Sequence, residues 1–177
     1  MSIKFTYLQQ PLNKYTFKAP KVKAWVEDHC KGDILNLFAG EVRLTLLPHQ
    51  KEVRVDLDST LAHIDYCMDA LDFVIQARKN CLKFDTALLN PPYSYRKSME
   101  LYKGNLNSRF KQIFDLIPEI LAPDGCVITF GHHSNVMSKK RGFAIREICL
   151  ISHGGAQHDT IVTAEQRIKV TEKEITS

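Results

Sequence analysis

The sequence predicts an α/β domain: a mostly parallel sheet with helices on both faces, finished by a C-terminal antiparallel hairpin. Three observations carry this expectation. Short apolar runs bounded by turn residues recur at 34–38, 53–57, 86–89 and 126–130. Between them lie stretches whose apolar residues return every three or four positions, as one face of a helix requires. Two further strand-like runs, 145–151 and 160–168, are joined through Gly154-Gly155. Parallel strands need a crossover connection, so strands alternating with helices imply a parallel sheet, and a closely joined pair implies a hairpin, expected at the sheet edge.

Each element has its own warrant. Val22, Trp25 and Val26 form an amphipathic turn and a half that stops at Gly32. Ile34-Leu35-Asn36-Leu37-Phe38 is entered from Lys31-Gly32-Asp33 and left through Ala39-Gly40, which suits a buried strand. Val53-Arg54-Val55-Asp56-Leu57 is the second strand, and Ala70, Leu71, Phe73, Val74 and Ala77 then share one helical face. Thr86-Ala87-Leu88-Leu89 follows, and after it Phe110, Ile113, Phe114, Ile117, Ile120 and Leu121 mark a longer helix ending near Pro123-Asp124-Gly125. Cys126-Val127-Ile128-Thr129-Phe130 completes the apolar runs, which are rich in Val, Ile and Leu as strands covered on both faces are. Residues 169–177 are expected to be a solvated tail.

At 177 residues and 44% hydrophobic composition, the chain suits one domain, 1–177, burying about two-thirds of its unfolded surface. Its 24 Lys and Arg against 20 Asp and Glu leave a charge of +4, which suits a polyanionic partner without identifying one. The five cysteines (Cys30, Cys67, Cys81, Cys126, Cys149) are odd in number and well separated, and read as reduced thiols of a cytoplasmic protein. No Cys or His pair has the spacing of a structural zinc site, and no metal is expected. No apolar run approaches the ~20 residues that cross a bilayer, and the start Met1-Ser2-Ile3-Lys4 lacks a secretory pattern, so no membrane partner is expected.

Ligands of open α/β sheets sit beyond the carboxyl ends of the strands, so the residues at those ends decide the chemistry. The first of these strands ends in Phe38-Ala39-Gly40, where glycine admits close approach of backbone to a ligand. The second ends in Asp56, whose carboxylate can accept both hydroxyl hydrogens of a ribose. Asp69-Ala70-Leu71 reads as a helix start whose acid either caps the helix or accepts from an adenine amine. The strand at 86–89 ends in Asn90-Pro91-Pro92-Tyr93, and the next in Gly131-His132-His133.

From Phe17 to Gly131 this series resembles the Rossmann-like methyltransferases that modify amino groups, above all the adenine-specific DNA methyltransferases. The resemblance implies S-adenosylmethionine as cofactor. It implies that Leu37-Phe38-Ala39-Gly40 is the cofactor loop, Asp56 the ribose acid, Asp69 with Ala70 the adenine side, and Asn90-Pro91-Pro92-Tyr93 the catalytic loop, with Asn90 also beside the cofactor. The stretch from Phe17 to Pro20, within a leading segment 1–32, resembles the part that closes over the methionine end. Two departures stand out. The second glycine common in the family is replaced by Glu41-Val42, which leaves either a tighter loop or a role for Glu41 toward the methionine amine. The short stretch between Asp58 and Asp69 leaves Asp72 as a rival adenine contact.

The chemistry needs these residue types. The lone pair of an aromatic amine is delocalised into its ring, and methyl transfer places positive charge on the nitrogen. The side-chain oxygen of Asn90 and the carbonyl of Pro91, its backbone restricted by Pro92, can both accept from the amine, and Tyr93 can stack on the target ring. A base in duplex must be flipped out to reach them. Basic residues follow in sequence: Arg96, Lys97, Lys103 and Arg109 after the catalytic loop, and Lys139, Lys140 and Arg141 after His132. These are expected to rim the site and meet phosphates. Nucleic acid is therefore the expected partner, DNA ahead of RNA. Beyond residues 94–109 and the hairpin there is no room for a recognition region, which points to low sequence specificity, a separate specificity subunit or a folded RNA. Protein glutamine methylation uses the same tetrapeptide and stays open, as does a non-catalytic cofactor-binding subunit of a larger methyltransferase.

Overall fold

In a computed structural model that describes residues 2–11, 19–91, 106–134, 136–155 and 158–168, the strands pair into a single eight-stranded sheet. In chain order the elements are β1 (Lys4–Gln9), α1 (Pro20–His29), β2 (Asp33–Leu37), β3 (Lys51–Asp56), β4 (Tyr66–Cys67), α2 (Ala70–Lys79), β5 (Phe84–Leu89), α3 (Leu106–Ile120), β6 (Leu121–Gly131), β7 (Phe143–Ser152) and β8 (Thr160–Arg167). Across the sheet they lie in the order β1-β7-β8-β6-β5-β2-β3-β4. Among these, β8 alone runs against its neighbours. The predicted α/β architecture with its antiparallel β7–β8 hairpin is therefore observed.

Alternation along the central strands divides the core in two. Leu35 and Leu37 of β2, Ala87 and Leu89 of β5 and Val127 of β6 pack with Phe73, Val74, Ile113 and Ile117 of α2 and α3. Their neighbours Ile34, Leu88, Ile128 and Phe130 point the other way, against Val22, Trp25 and Val26 of α1. Strands apolar on both sides are what helices on both faces require. Among the described residues no helix is long and apolar enough to cross a membrane.

The expected position of the hairpin needs correction. It does not form the edge, because β1 pairs in parallel with β7 beyond it, Lys4 opposite Glu147 and Gln9 opposite Ser152. As an edge strand β1 keeps Phe5 and Tyr7 exposed, so its apolar residues do not mark a buried face. The two-residue β4 was too short to leave a pattern. Of the thiols, Cys30, Cys126 and Cys149 are buried, whereas Cys67 and Cys81 are exposed.

The β1 edge is tied down by one buried carboxylate. Glu147 accepts from Thr6 Oγ1 at 2.6 Å and from Trp25 Nε1 at 2.9 Å, with Lys4 Nζ at 3.0 Å and His29 Nε2 at 3.1 Å. Burial opposes its ionisation, but the hydrogen bonds from Thr6, Trp25, Lys4 and His29 outweigh that and bring its pKa from 4.5 down to about 2. A carboxylate with a depressed folded-state pKa adds stability that is complete above the unfolded value and lost as pH falls through the folded one. The thermal stability of the wild type is therefore expected to fall steeply from about pH 4.5 toward pH 2. Glu147→Gln should melt lower at pH 7, and the gap should close at low pH; a constant gap across the range would contradict this assignment.

Candidate cofactor and catalytic site

The carboxyl ends of β2, β3 and β5 converge on a turn that follows Leu37. Phe38 and Gly40 both occupy the left-handed region, with φ of 63° and 60°. Such a conformation is strained for phenylalanine, and stacking of its ring on Phe110 of α3, with centroids 5.3 Å apart, helps to hold it. The Ala39 N–H donates to Val55 O at 3.1 Å, and the Gly40 N–H to Asp56 Oδ2 at 2.9 Å. Asp56 Oδ1 accepts from the Asp58 N–H at 3.0 Å. Each oxygen thus takes one backbone donor, and a carboxylate has about four acceptor positions in all, so Asp56 can accept a pair of hydroxyls as well. Immediately beyond it Leu57 is 37% exposed, an apolar surface suited to a flat purine ring.

Asn90 stands beside this turn. Leu37 and Leu89 are opposite one another in the parallel β2–β5 pair, and the Asn90 N–H donates to Leu37 O at 3.4 Å. Adjacent strands lie roughly 4.8 Å apart, so the start of the tetrapeptide abuts the glycine turn. Leu37 and Ala39 are buried and form its floor. Pro20 is the first residue of α1 and Ala70, buried, the first of α2. Phe17, Pro92, Tyr93, Arg96, Lys97, Lys103 and the tail 169–177 lie outside the described residues.

The two rival adenine acids are joined to each other. Asp69 caps α2, its Oδ1 accepting from the Leu71 N–H at 2.9 Å and the Asp72 N–H at 3.4 Å. The same Oδ1 lies 2.7 Å from Arg109 Nη2, which also reaches Asp72 Oδ1 at 3.4 Å. Arg109, expected to meet phosphate, is thus ion-paired within the protein and links the starts of α2 and α3.

The remaining basic residues separate. His132 is exposed on the carboxyl rim, its Nδ1 donating to Asp159 O at 3.1 Å and its ring 6.1 Å from that of His158. Lys139, Lys140 and Arg141 form a 3-10 turn just before β7, at the opposite end of the sheet, which corrects the expectation that they rim the site. The connection from β6 crosses the α2–α3 face, where Met137 is buried and the Met137 N–H donates to Glu165 Oε2 at 3.0 Å. Arg141 then pairs with Asp115 at 2.7 Å, roughly 14 Å along α3 from its first residue. Burial pushes the Glu165 carboxyl up, against the hydrogen bonds from Met137 and Ser138 and the nearby Arg141.

Solved structures share this fold. TrmN from Thermus thermophilus superimposes with a TM-score of 0.57 at 19% identity, over 84% of this chain and 48% of its own. NodS, an N-methyltransferase from Bradyrhizobium japonicum, gives 0.57 at 12% identity over 89% of this chain and 99% of its own, and a second NodS structure holds S-adenosyl-L-homocysteine. A SAM-dependent methyltransferase from Agrobacterium tumefaciens gives 0.52 at 15% identity, over 83% of this chain and 59% of its own. The fold is that of the S-adenosylmethionine-dependent methyltransferases. The chain spans about half the length of TrmN and nearly all of NodS. No protein-family model matches the sequence, and no curated protein matches it either.

Within this methyltransferase fold, two residues of interest escaped the sequence reading. Leu57 gave only the signal of an apolar residue after an acid. Arg54 lies inside a predicted strand, and nothing local shows that it is buried against the glycine turn.

Proposed function

We propose that this chain is an S-adenosylmethionine-dependent methyltransferase acting on an exocyclic amine of a nucleic-acid base, with adenine in DNA as the leading substrate. The observation that carries the reading is the hydrogen bond from Asn90 to Leu37, which sets Asn90, the first residue of the tetrapeptide proposed to meet the amine, against the Phe38–Gly40 turn. Asp56 and Leu57 would hold the ribose and adenine of the cofactor, and the turn would line its methionine portion. When bound, the cofactor supplies an electrophilic methyl on a sulfonium centre. The chain's task is then to raise the nucleophilicity of a planar amine: Asn90 Oδ1 and the Pro91 carbonyl accept its two hydrogens, favour a pyramidal nitrogen and stabilise the charge that develops there. The N-methyltransferase NodS, on the same fold, supports nitrogen as the acceptor atom. The charge of +4 favours a polyanionic substrate.

Incubation with tritiated S-adenosylmethionine and separate pools of DNA, RNA and protein tests this. Label is expected in DNA, on adenine after digestion to nucleosides. Label confined to protein glutamine would overturn the nucleic-acid reading, and label confined to RNA would overturn the choice of DNA.

A further inference from the structure

Beneath the glycine turn lies a buried polar cluster that the proposed reaction does not use. Asn36 of β2 and Arg54 of β3 are opposite one another in the sheet and essentially inaccessible to solvent, at 0% and 1% exposure. Asn36 Nδ2 donates to Glu52 Oε1 at 2.7 Å, and Glu52 Oε2 lies 3.9 Å from Arg54 Nη1. The main chain of Arg54 is pinned by Asp65, whose Oδ2 accepts the Arg54 N–H at 2.8 Å and whose N–H donates to Arg54 O at 3.0 Å. The side chain makes one directed hydrogen bond, from Nη2 to Gly40 O at 2.8 Å. Asn36 Oδ1, Glu52 Oε2 and Arg54 Nε and Nη1 make none, although all are buried.

This is a poor way to stabilise a core. A buried ion pair with incomplete hydrogen bonding often costs more than well-packed apolar residues of similar volume. Burial accordingly pushes the Arg54 guanidinium pKa down, and Glu52 only partly restores it. What the arginine does accomplish is local. Gly40 is the residue of the turn with the greatest conformational freedom, and the peptide planes on its two sides are held by different partners. Asp56 takes the N–H of one, and Arg54 holds the carbonyl of the other.

We infer that Arg54 is a positioning residue for cofactor binding: by fixing the Gly40 carbonyl it keeps the turn and the Gly40–Asp56 contact in the shape that receives the ribose. The inference rests on the proposed cofactor reading. Its test compares two variants in a charge-neutral background. Glu52→Gln with Arg54→Met removes the donor to Gly40, and Glu52→Gln with Arg54→Gln keeps one. Removing the ion pair should leave the melting temperature of the Met variant within a few degrees of the parent or above it. Its calorimetric Kd for S-adenosylhomocysteine should nevertheless rise at least tenfold, with KM for S-adenosylmethionine rising in parallel and kcat at saturation held within about threefold. The Gln variant should recover part of the affinity.

Parental affinity in the Met variant would overturn the role of Arg54 while leaving the cofactor reading intact. Absence of S-adenosylhomocysteine binding by the parent chain would overturn both. The guanidinium proton resonances of Arg54 in the wild-type chain give a readout that needs no variant. They should shift on addition of S-adenosylhomocysteine, and invariance at saturation would overturn the inference.

Discussion

Replacing Asn90 by alanine is expected to lower the rate of methyl transfer at saturating substrates by roughly 10²- to 10³-fold, the loss typical of removing one preorganised group aimed at developing charge. S-adenosylhomocysteine should bind with its Kd changed by less than about threefold. The split follows from geometry. The backbone hydrogen bond from Asn90 to Leu37 ties it to the turn, and alanine can still make that bond. The amide side chain, by contrast, is the group assigned to the amine. Single-turnover rates paired with calorimetry give both numbers. Near-wild-type turnover in Asn90→Ala would remove the catalytic assignment, and loss of cofactor binding would move Asn90 from the chemistry to the turn.

The second large effect is expected at Asp56. Its two carboxylate oxygens receive the Gly40 and Asp58 N–H groups, at 2.9 and 3.0 Å, and keep acceptor positions for the proposed ribose hydroxyls. Asp56→Ala strands both backbone donors. Hydrogen bonds to a charged group are worth about 1.5–3 kcal/mol each, so cofactor affinity should fall by about 100-fold or more. Asp56→Asn should do little better, because an amide offers one acceptor where the carboxylate offers two and turns an N–H toward a backbone donor. Equilibrium binding of S-adenosylhomocysteine to both variants checks this. An asparagine variant with parental affinity would show that Asp56 acts on the turn through one oxygen only.

Which features the sequence revealed follows from how local their causes are. The central strands were readable because burial on both faces leaves a nearly continuous apolar run, as at Ala87 to Leu89 and, with Asn36 as its single polar member, at Ile34 to Leu37. The start of α2 was readable because a helix cap is made within three residues. Asp69 shows the limit of such reading, since the same aspartate pattern suits a cap and an adenine acceptor, and the partner that engages it, Arg109, comes 40 residues later. Lys139 to Arg141 were misplaced for a related reason. Proximity in sequence to His132 suggested proximity in space, yet Glu165 and buried Met137 draw the connection down the face of the sheet. An arginine inside a strand pattern equally suits a solvent-facing position, and only the fold turns Arg54 toward Gly40.

The pairing of β1 with β7 also imposes an order on assembly. Lys4 meets Glu147, so β1 has no partner until the chain has grown by more than 140 residues beyond it. At 5–20 residues per second the wait is roughly 7 to 30 s. Throughout it β1, with its exposed Phe5 and Tyr7, travels as an unpaired strand. Until β7 is made the unpaired edge is open to other strands, and a chaperone or a neighbouring ribosome's product meets that segment first.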